Sequence, residues 1–381
     1  MPALPTLLSV ENATSPPSTY ATIAGLPVQI DSCEFTPMVR DTSSGFTKIT
    51  TVVRLRGRGE EGLGEDVTWD QIDQIEFLRH PAPSGLKGAW QLDELSAALG
   101  EMDLFPVAPC RPASRLYRRW AFESAALDLG LRQAGLSLAD ALGRTPKPVR
   151  FVASVRLGEP PSMQPIRARL QSDPTLEFKL DPTLSWGTDT IREIAATCRV
   201  EIVDLKGHYH NATVQQPPDP PLYARVLDAF PAAWIEDPAL TPQTRPLLAQ
   251  HLARLSWDEP IHSIDDLATM PALPGALNIK PARFGSLHAL FATYDFCAAT
   301  GIVPYGGGMF ELGPGRGQLQ YLASLFHPDS PNDLAPPEYN VATHQGALPA
   351  SPLTPQPHPT GFRWGQITLR RSIRDTDQHA A

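Results

Sequence analysis

The chain is low in charge. Asp, Glu, Lys and Arg make up 19% of its 381 residues, against roughly 25% in an average soluble domain. Hydrophobic residues make up 42%, so charge-driven disorder is not expected and a sizeable core can form. The formal charge of −9 and the pI of about 5.6 argue against a nucleic-acid partner and against an anionic membrane surface.

Cysteine pairs and long apolar runs are also missing. The four cysteines are widely scattered, and none belongs to a Cys-x-x-Cys motif, so neither a disulfide framework nor a zinc ribbon is predicted. No run approaches the roughly 18 apolar residues of a membrane span. The first residues, MPALPTLLSVENATSPPS, lack the basic start and apolar core of a signal peptide. We therefore expect a cytoplasmic location.

From about residue 149 the sequence alternates short apolar runs with helical patterns. This alternation predicts parallel βαβ units, and seven such runs favour a closed barrel over an open doubly wound sheet. A G-x-G-x-x-G motif after the first run would support the open sheet, and the first run is not followed by one. The seven runs are VRFVASVRL, LEFKLD, VEIVDLKG, AAWIEDP, RLSWDEP, ALNIKPAR and GIVPYGGGMFELG.

The part before these runs has a different pattern. TPMVRDTSSGFTKITTVVRLRGRGEEGLGEDV predicts two or three antiparallel strands, and two helical patterns follow. We therefore expect an α+β domain at residues 1–145 and an α/β barrel at residues 146–345. A C-terminal segment at residues 346–381 is expected to pack back on the first domain or to be disordered.

Charged residues end several of the apolar runs. Successive runs end in Asp204, Glu236, Asp258 and Lys280, and an earlier run carries Lys179. Active-site residues of α/β barrels lie at the C-terminal ends of the strands, so we expect these side chains to meet at one mouth. Three converging carboxylates repel one another unless a cation lies between them, and hard oxygen ligands suit Mg²⁺.

Each of these residues alone would be weak evidence. A single carboxylate at a strand end is usually a helix cap or a loop residue, and a single lysine there is usually solvated. Three successive strand-end carboxylates with lysines on both sides are much harder to explain without a shared ion. Lysines beside such a cluster can act as bases if burial or the metal lowers their pKa.

The order of strand-end Asp, Glu, Asp and Lys resembles the enolase superfamily, and most closely its muconate-lactonizing-enzyme and mandelate-racemase branches. GLGEDV resembles the G-x-G-E turn of the family's capping domain, and WIEDP, WDEPIHS, NIKPARFG and GGGMFELGPGRG resemble its later strand ends. The resemblance implies an α/β fold, a (β/α)7β TIM-like barrel with an α+β capping domain. It also implies an Mg²⁺ cofactor and abstraction of the α-proton of a small carboxylate substrate, giving a metal-stabilised enediolate.

By position, the resemblance assigns roles to four residues. Asp204, Glu236 and Asp258 match the metal ligands, and Lys280 matches a base on one face of the substrate. Two further catalytic candidates, Lys179 and Lys206, stand where the chain departs from the family pattern.

The second strand departs first. The family usually carries Lys-x-Lys there, whereas this chain reads Glu177-Phe178-Lys179-Leu180-Asp181. If Lys179 takes the second position, the base is kept and Glu177 replaces the first lysine. If Lys179 takes the first position, Asp181 replaces the base. These side chains share one face of the strand, so the pattern alone leaves both registers open.

The third strand departs as well. The family commonly has Asp-x-Asn, and this chain has Asp204-Leu205-Lys206. Lys206 either supplies a cation that the second strand has lost, or neutralises Asp204 and weakens metal binding.

Substrate contacts are harder to place. Tyr305, Glu311 and Arg316 around GGGMFELGPGRG are candidates for anion or substrate contacts, as is Asn278 in ALNIKPAR. A single base favours a lyase or synthase over a racemase, which needs a base on each face, but cycloisomerisation and racemisation stay open. The alternative hypothesis is an altered or inactive enolase-like barrel that binds a ligand or a partner. Barrels of this family often assemble, so a homo-oligomer is possible.

Overall fold

The computed structural model describes residues 18–80, 83–209, 215–341 and 347–366. Its first part contains a three-stranded antiparallel sheet and a separate two-stranded sheet, which confirms the predicted antiparallel strands. The strands are β1 (Pro27–Ile30), β2 (Ser32–Asp41), β3 (Thr47–Gly57), β4 (Glu60–Asp66) and β5 (Gly88–Gln91). The larger sheet has the order β2-β3-β4, and β1 pairs with β5.

A long central helix packs along this antiparallel sheet. It approaches β4 closely because Gly62 and Gly64 carry no side chain: a Cβ at Gly64 would lie 1.9 Å from the Ala121 carbonyl oxygen. The helix ends at Gly135, whose φ of 69° is left-handed and suits glycine. The helices of this part are α1 (Gln71–Arg79), α2 (Leu92–Glu101), α3 (Ser114–Ala134) and α4 (Leu138–Leu142).

Each of the seven predicted apolar runs contains one strand of a single parallel sheet. The order among the described residues is β12-β11-β10-β9-β8-β7-β6, so neighbours in sequence are neighbours in space. The strands are β6 (Val152–Val155), β7 (Glu177–Leu180), β8 (Arg199–Asp204), β9 (Trp234–Glu236), β10 (Leu255–Trp257), β11 (Ala276–Ile279) and β12 (Val303–Gly306). Most of their side chains are buried, as expected for a parallel sheet covered by helices.

Helices connect these strands. Several begin at a clear signal: the Asp219 carboxylate accepts a hydrogen bond from the Leu222 N–H, and the Ser286 hydroxyl accepts one from the Ala289 N–H, as N-caps do. They are α5 (Gln164–Ser172), α6 (Thr188–Thr197), α7 (Pro220–Ala229), α8 (Arg245–Leu248), α9 (Ile264–Thr269), α10 (Pro281–Phe284), α11 (Leu287–Thr300) and α12 (Pro314–Phe326). Short 3-10 helices lie at Thr19–Thr22, Leu252–Arg254 and Pro337–Asn340.

The two edges of the parallel sheet meet at one short segment. Asn332 pairs with Phe151, just before β6, and Asp333 pairs with Gly307, just after β12, both in parallel. The Asn332 side chain reinforces the seam, since its amide donates to the Arg150 carbonyl and its oxygen accepts from the Gly306 N–H. The sheet is therefore curled into a TIM-like barrel.

The end of the described chain returns to both parts of the molecule. Leu353 pairs with Val149 before the barrel, and Gly361 pairs with Ser137 before α4. The predicted bounds at residues 145 and 345 stay predictions, and the predicted end of the C-terminal segment, at residues 367–381, lies outside the described residues. None of the helices in the described ranges is long and apolar enough to cross a membrane.

Candidate active site

Three carboxylates meet at the C-terminal ends of successive barrel strands. Asp204 ends β8, Glu236 ends β9 and Asp258 follows β10, and all three are fully buried. One oxygen of each lies within 4.8 Å of the others. Parallel pairing explains the convergence, because Asp204 and Glu236 are direct register partners. We call these three residues the carboxylate cluster.

Glu236 lies in the middle of the cluster. Its Oε1 accepts hydrogen bonds from Lys179 Nζ at 2.7 Å and Asn278 Nδ2 at 3.2 Å, and its Oε2 accepts one from the Tyr305 hydroxyl at 3.0 Å. Burial, and next the charge of Asp204, raise the pKa of Glu236 well above its usual range. Glu236 is thus the carboxylate of the cluster for which ionisation is most costly without a cation.

Lys179 is fully enclosed by acceptors. Besides Glu236, its Nζ lies 3.3 Å from Asp204 and 3.3 Å from Asp333. Burial opposes its charge, but the carboxylates outweigh burial and raise the pKa of Lys179 well above its ordinary value. Glu177, two residues earlier, instead accepts a hydrogen bond from the Arg150 guanidinium at 2.6 Å. Of the predicted strand-end residues on β7, the structure brings Lys179 into the cluster.

Asp258 is held by cations from the next strand and helix. Lys280 Nζ donates at 2.7 Å and Arg283 Nη1, on α10, donates at 2.8 Å. The Tyr209 hydroxyl also donates to Asp258, at 3.1 Å. Burial alone would raise the pKa of Asp258, but Arg283 and Lys280 outweigh it and lower that pKa. Burial lowers the pKa of Lys280.

Asp237, which directly follows β9, holds the backbone at Asp258 by hydrogen bonds. It is fully buried, has a left-handed φ of 46°, and accepts hydrogen bonds from the Asp258 and Glu259 N–H groups at 2.8 and 2.9 Å. Burial, and next the charge of Asp258, raise the pKa of Asp237 to about 7. Asp237 therefore ties the ends of β9 and β10 together and does not point into the cluster.

Lys206 closes on Asp204. The Lys206 N–H donates to Asp204 Oδ1 at 3.2 Å, and its ammonium donates to Asp204 Oδ2. The strand has ended by then, since β8 stops at Asp204 and Lys206 has a φ of 53°. Beside it lies a pocket of about 170 Å³, lined among others by Arg156, Asp181 and Trp186. The cluster borders this pocket through Lys206, which is one of its lining residues.

Two of the four predicted substrate-contact residues are bonded to the carboxylate cluster, and the other two are bonded to each other. Asn278 and Tyr305 are buried and bonded to Glu236, and the Asn278 Oδ1 is buried without a hydrogen-bond partner. Glu311 and Arg316 form an ion pair at 2.9 Å and are both buried. The structure therefore places Tyr305 and Asn278 against the cluster, and pairs Glu311 with Arg316 beside it.

The glycine-rich loop after β12 holds a carboxylate of the protein itself. Glu65, at the end of β4, accepts hydrogen bonds from the N–H groups of Leu312, Gly313 and Gly315 at 2.6, 2.9 and 2.9 Å. Such a row of backbone N–H groups at a helix start is an anion site. Because Glu65 fills it, the loop joins the first domain to the barrel and does not offer an open phosphate site.

Sequence reasoning missed other residues of the site. Tyr209 and Arg283 contact Asp258, and Asp333 contacts Lys179. Arg283 had a usable signal, since it lies on the same short helix that Lys280 precedes. Tyr209 and Asp333 had none, because both stand in segments without strand or helix periodicity.

Comparisons with known proteins agree with the barrel fold. Residues 21–141 and 145–341 match the N-terminal and C-terminal domains of a family described as a domain of unknown function, DUF8230. An N-succinylamino acid racemase from Amycolatopsis sp is 30% identical over 316 residues, which cover 77% of this chain and 80% of the racemase. A member of the enolase superfamily from Roseovarius nubinhibens ISM has a TM-score of 0.64 at 20% identity, covering 93% of this chain and all of that chain (100%). The chain belongs to DUF8230 and to the enolase superfamily.

Other enolase-superfamily relatives match over a shorter span. An o-succinylbenzoate synthase from Geobacillus kaustophilus is 28% identical over 273 residues, which cover 68% of this chain and 64% of the synthase. The chain thus spans less than two thirds of that relative's length. The curated relatives are named as a synthase and a racemase. The relatives therefore include both lyase and isomerase chemistry.

Proposed function

We propose that this chain is an Mg²⁺-dependent enzyme that abstracts the α-proton of a small carboxylate substrate to form an enediolate. The carboxylate cluster carries the proposal: three buried carboxylates from successive strand ends lie with one oxygen of each within 4.8 Å, and Lys179 and Lys280 contact them. The synthase and racemase names of the curated relatives support an enzyme.

The residues of the cluster fit a hard divalent cation. Asp204, Glu236 and Asp258 would hold it, since all three offer carboxylate oxygens, the donors that Mg²⁺ prefers. Asn278 donates its Nδ2 to Glu236, and its buried Oδ1 has no hydrogen-bond partner among the described residues. This Oδ1 is a further oxygen that a bound ligand could satisfy. When bound, the ion would supply the positive charge that makes two negative charges on one carboxyl group accessible.

The lysines of the cluster differ in how they are held. Lys179 Nζ has three carboxylate neighbours, Glu236, Asp204 and Asp333, and is therefore suited to act as a fixed cation. Within the described part of the chain, Lys280 Nζ contacts a single carboxylate, Asp258, and is suited to receive the α-proton. With Glu177 bonded to Arg150 at the other end of β7, this geometry supports the register in which Lys179 takes the first lysine position.

One proton-accepting lysine favours a lyase or synthase over a racemase. Lysine at the second position of β7 would place another amine beside the cluster, but Asp181 stands there. A cycloisomerase also needs one proton transfer and stays open. The substrate class follows from the same chemistry, since a carboxylate can form an enediolate only if its α-carbon carries a hydrogen.

Exchange of the substrate's α-proton with D₂O tests the proposal. N-succinylamino acids and the substrate of o-succinylbenzoate synthases are the first compounds to examine, because the curated relatives are named for these chemistries. We expect exchange or turnover, followed by proton NMR, that requires Mg²⁺ and stops with EDTA. Lys280→Ala should lower it by about 10²-fold or more.

A matched control separates this effect from general damage. Lys87→Ala changes an exposed lysine of the first domain and should leave exchange unchanged. Undiminished exchange in both Lys280→Ala and Lys179→Ala would remove those lysines from the mechanism.

A second candidate function has one observation in its favour. Lys206 engages both oxygens of Asp204, which is the arrangement expected if the barrel has lost its cation and now binds a ligand or a partner. Calorimetry at millimolar Mg²⁺ separates the two: heat of binding that is lost in Asp258→Asn favours the enzyme, and no heat favours the altered barrel.

We also propose the finer description of the fold. The parallel bridges of Asn332 and Asp333 to the two sheet edges support a short eighth strand, hence a (β/α)7β barrel at residues 146–345 with an α+β capping domain at residues 1–145. The Glu65 contacts to the glycine-rich loop support the capping role.

A further inference from the structure

In the turn after β8, one residue donates hydrogen bonds to both carboxylate oxygens of Asp204. Lys206 donates its backbone N–H to Oδ1 and its ammonium to Oδ2. This requires the left-handed φ of 53° at Lys206, a conformation that is unfavourable for any residue with a Cβ. A divalent cation in the carboxylate cluster needs an oxygen of Asp204, so the ammonium of Lys206 and the cation compete for the same acceptor.

A second acceptor lies next to this ammonium. Asp181 Oδ1 is 3.9 Å from Lys206 Nζ, and among the residues that the structure describes this buried oxygen has no hydrogen-bond partner. The other oxygen of Asp181 is engaged by Arg156 Nε at 3.3 Å. Buried polar atoms are rarely left unpaired, so Asp181 Oδ1 offers Lys206 a vacant and oppositely charged acceptor.

The chain also leaves room for the movement. Asp181 and Lys206 both line the pocket of about 170 Å³ beside the cluster. The lysine stem has four rotatable bonds, and its ammonium, 3.9 Å from Asp181 Oδ1, needs to move only about 1 Å to reach hydrogen-bond distance. Lys179 is in a different position, because its Nζ is buried between three carboxylates.

We propose that Lys206 has two positions, and that Asp181 is the positioning residue that receives its ammonium when Asp204 binds a divalent cation. This rests on the proposed function, since it assumes that the carboxylate cluster binds such an ion. In one position Lys206 neutralises Asp204. In the other it pairs with Asp181, so that Lys179 is the lysine that stays beside Asp204, and Asp204 can bind the cation. Asp181 thereby sets the affinity of the cluster without touching the ion.

A double-mutant cycle on cation affinity tests this. Mg²⁺ and Mn²⁺ binding are measured by calorimetry for the wild type, Asp181→Asn, Lys206→Met and the double variant. Asp181→Asn keeps the shape and removes the charge that receives the ammonium, so we expect affinity about tenfold weaker. In the Lys206→Met background no ammonium needs a new partner, and the same change should have little effect.

A matched control removes a carboxylate elsewhere. Asp189→Asn, on α6, changes a side chain that is 97% exposed and should leave affinity unchanged. Equal weakening by Asp181→Asn in both backgrounds would show a general charge effect and overturn the proposal. So would a Mn²⁺-loaded crystal structure in which Lys206 Nζ stays on Asp204.

The same measurements separate this proposal from the proposed function. If Lys206→Met binds the cation and the wild type does not, Lys206 blocks the site permanently, and the two-position proposal fails while the cluster stands as a cation site. If neither protein binds Mg²⁺ or Mn²⁺, the proposed function fails and this proposal fails with it.

Discussion

The two ends of the carboxylate cluster are built differently. At one end, Asp258 is fixed by Lys280 and Arg283, which stand immediately before and within a buried helix. At the other end, Asp204 is held chiefly by Lys206, a residue of the following turn that borders a pocket of about 170 Å³. The cleft that Lys280 lines has only about 10 Å³ of space.

The cations that pair with Asp258 are held rigidly, whereas the cation that pairs with Asp204 can move. The cations around Asp258 come from secondary structure that cannot shift without disturbing the barrel, whereas the cation at Asp204 has a vacant acceptor 3.9 Å away. A site that must bind both a cation and a substrate benefits if the side chains at one end are held rigidly and a side chain at the other end can move.

The largest expected effect compares the same change at both ends. Asp258→Asn leaves Lys280 and Arg283 as buried cations without their carboxylate, and such losses cost about 3–5 kcal/mol. Asp204→Asn leaves Lys206 able to pair with Asp181, and we expect a smaller cost of about 1–2 kcal/mol. Urea unfolding in EDTA measures both free energies of unfolding. Equal costs would contradict the distinction between a fixed end and an adjustable end.

Much of this comparison could be predicted from the sequence. The seven barrel strands follow from aliphatic and β-branched runs at regular spacing, and Asp204, Glu236, Asp258 and Lys280 follow from the rule that barrel sites lie at strand ends. These inferences needed only local patterns and a topology, because the barrel brings successive strand ends together whatever the loops do.

The remaining contacts depend on conformations that no pattern encodes. The two hydrogen bonds from Lys206 to Asp204 require a left-handed backbone conformation at Lys206. The contact of Asp333 with Lys179 requires a segment that pairs with the sheet only through isolated bridges. Glu65 reaches the glycine-rich loop across the boundary between the two domains. Such contacts follow from tertiary packing over long sequence separations, so the sequence alone left them open.

Acid should weaken the seam at which the two edges of the parallel sheet meet. His327 is buried behind β12, where its Nδ1 lies 2.6 Å from Asn332 Oδ1, the acceptor of the Gly306 N–H. Burial lowers the pKa of His327 to about 4, below its unfolded value. Its neutral form therefore contributes stability that is complete above about pH 6.5 and is lost as pH falls toward 4, by about 2–3 kcal/mol at pH 4.5.

His327→Gln isolates this contribution from other acid-sensitive groups. Glutamine keeps hydrogen-bonding capacity but does not titrate. The difference in unfolding free energy between wild type and variant should shrink from pH 7 to pH 4.5, as urea titrations at both values would show. A difference that is constant with pH would mean that His327 is not held neutral in the fold.

The smallest predicted effect compares the free space around a glycine at each end of the cluster, by changing each glycine to alanine. At Gly307, on the Lys280 side, an added Cβ would lie 2.1 Å from Asn278 Oδ1 and 2.7 Å from Lys280 Cε, so Gly307→Ala should cost about 1–3 kcal/mol and displace Lys280. At Gly187, which follows a pocket-lining residue on the Asp204 side, a Cβ meets nothing within 4 Å, and Gly187→Ala should cost less than about 1 kcal/mol. Thermal unfolding and Mg²⁺ calorimetry of both variants measure the contrast. If Gly307→Ala is as harmless as Gly187→Ala, the Lys280 side can yield as readily as the pocket side, and its rigidity is not a property of the packing.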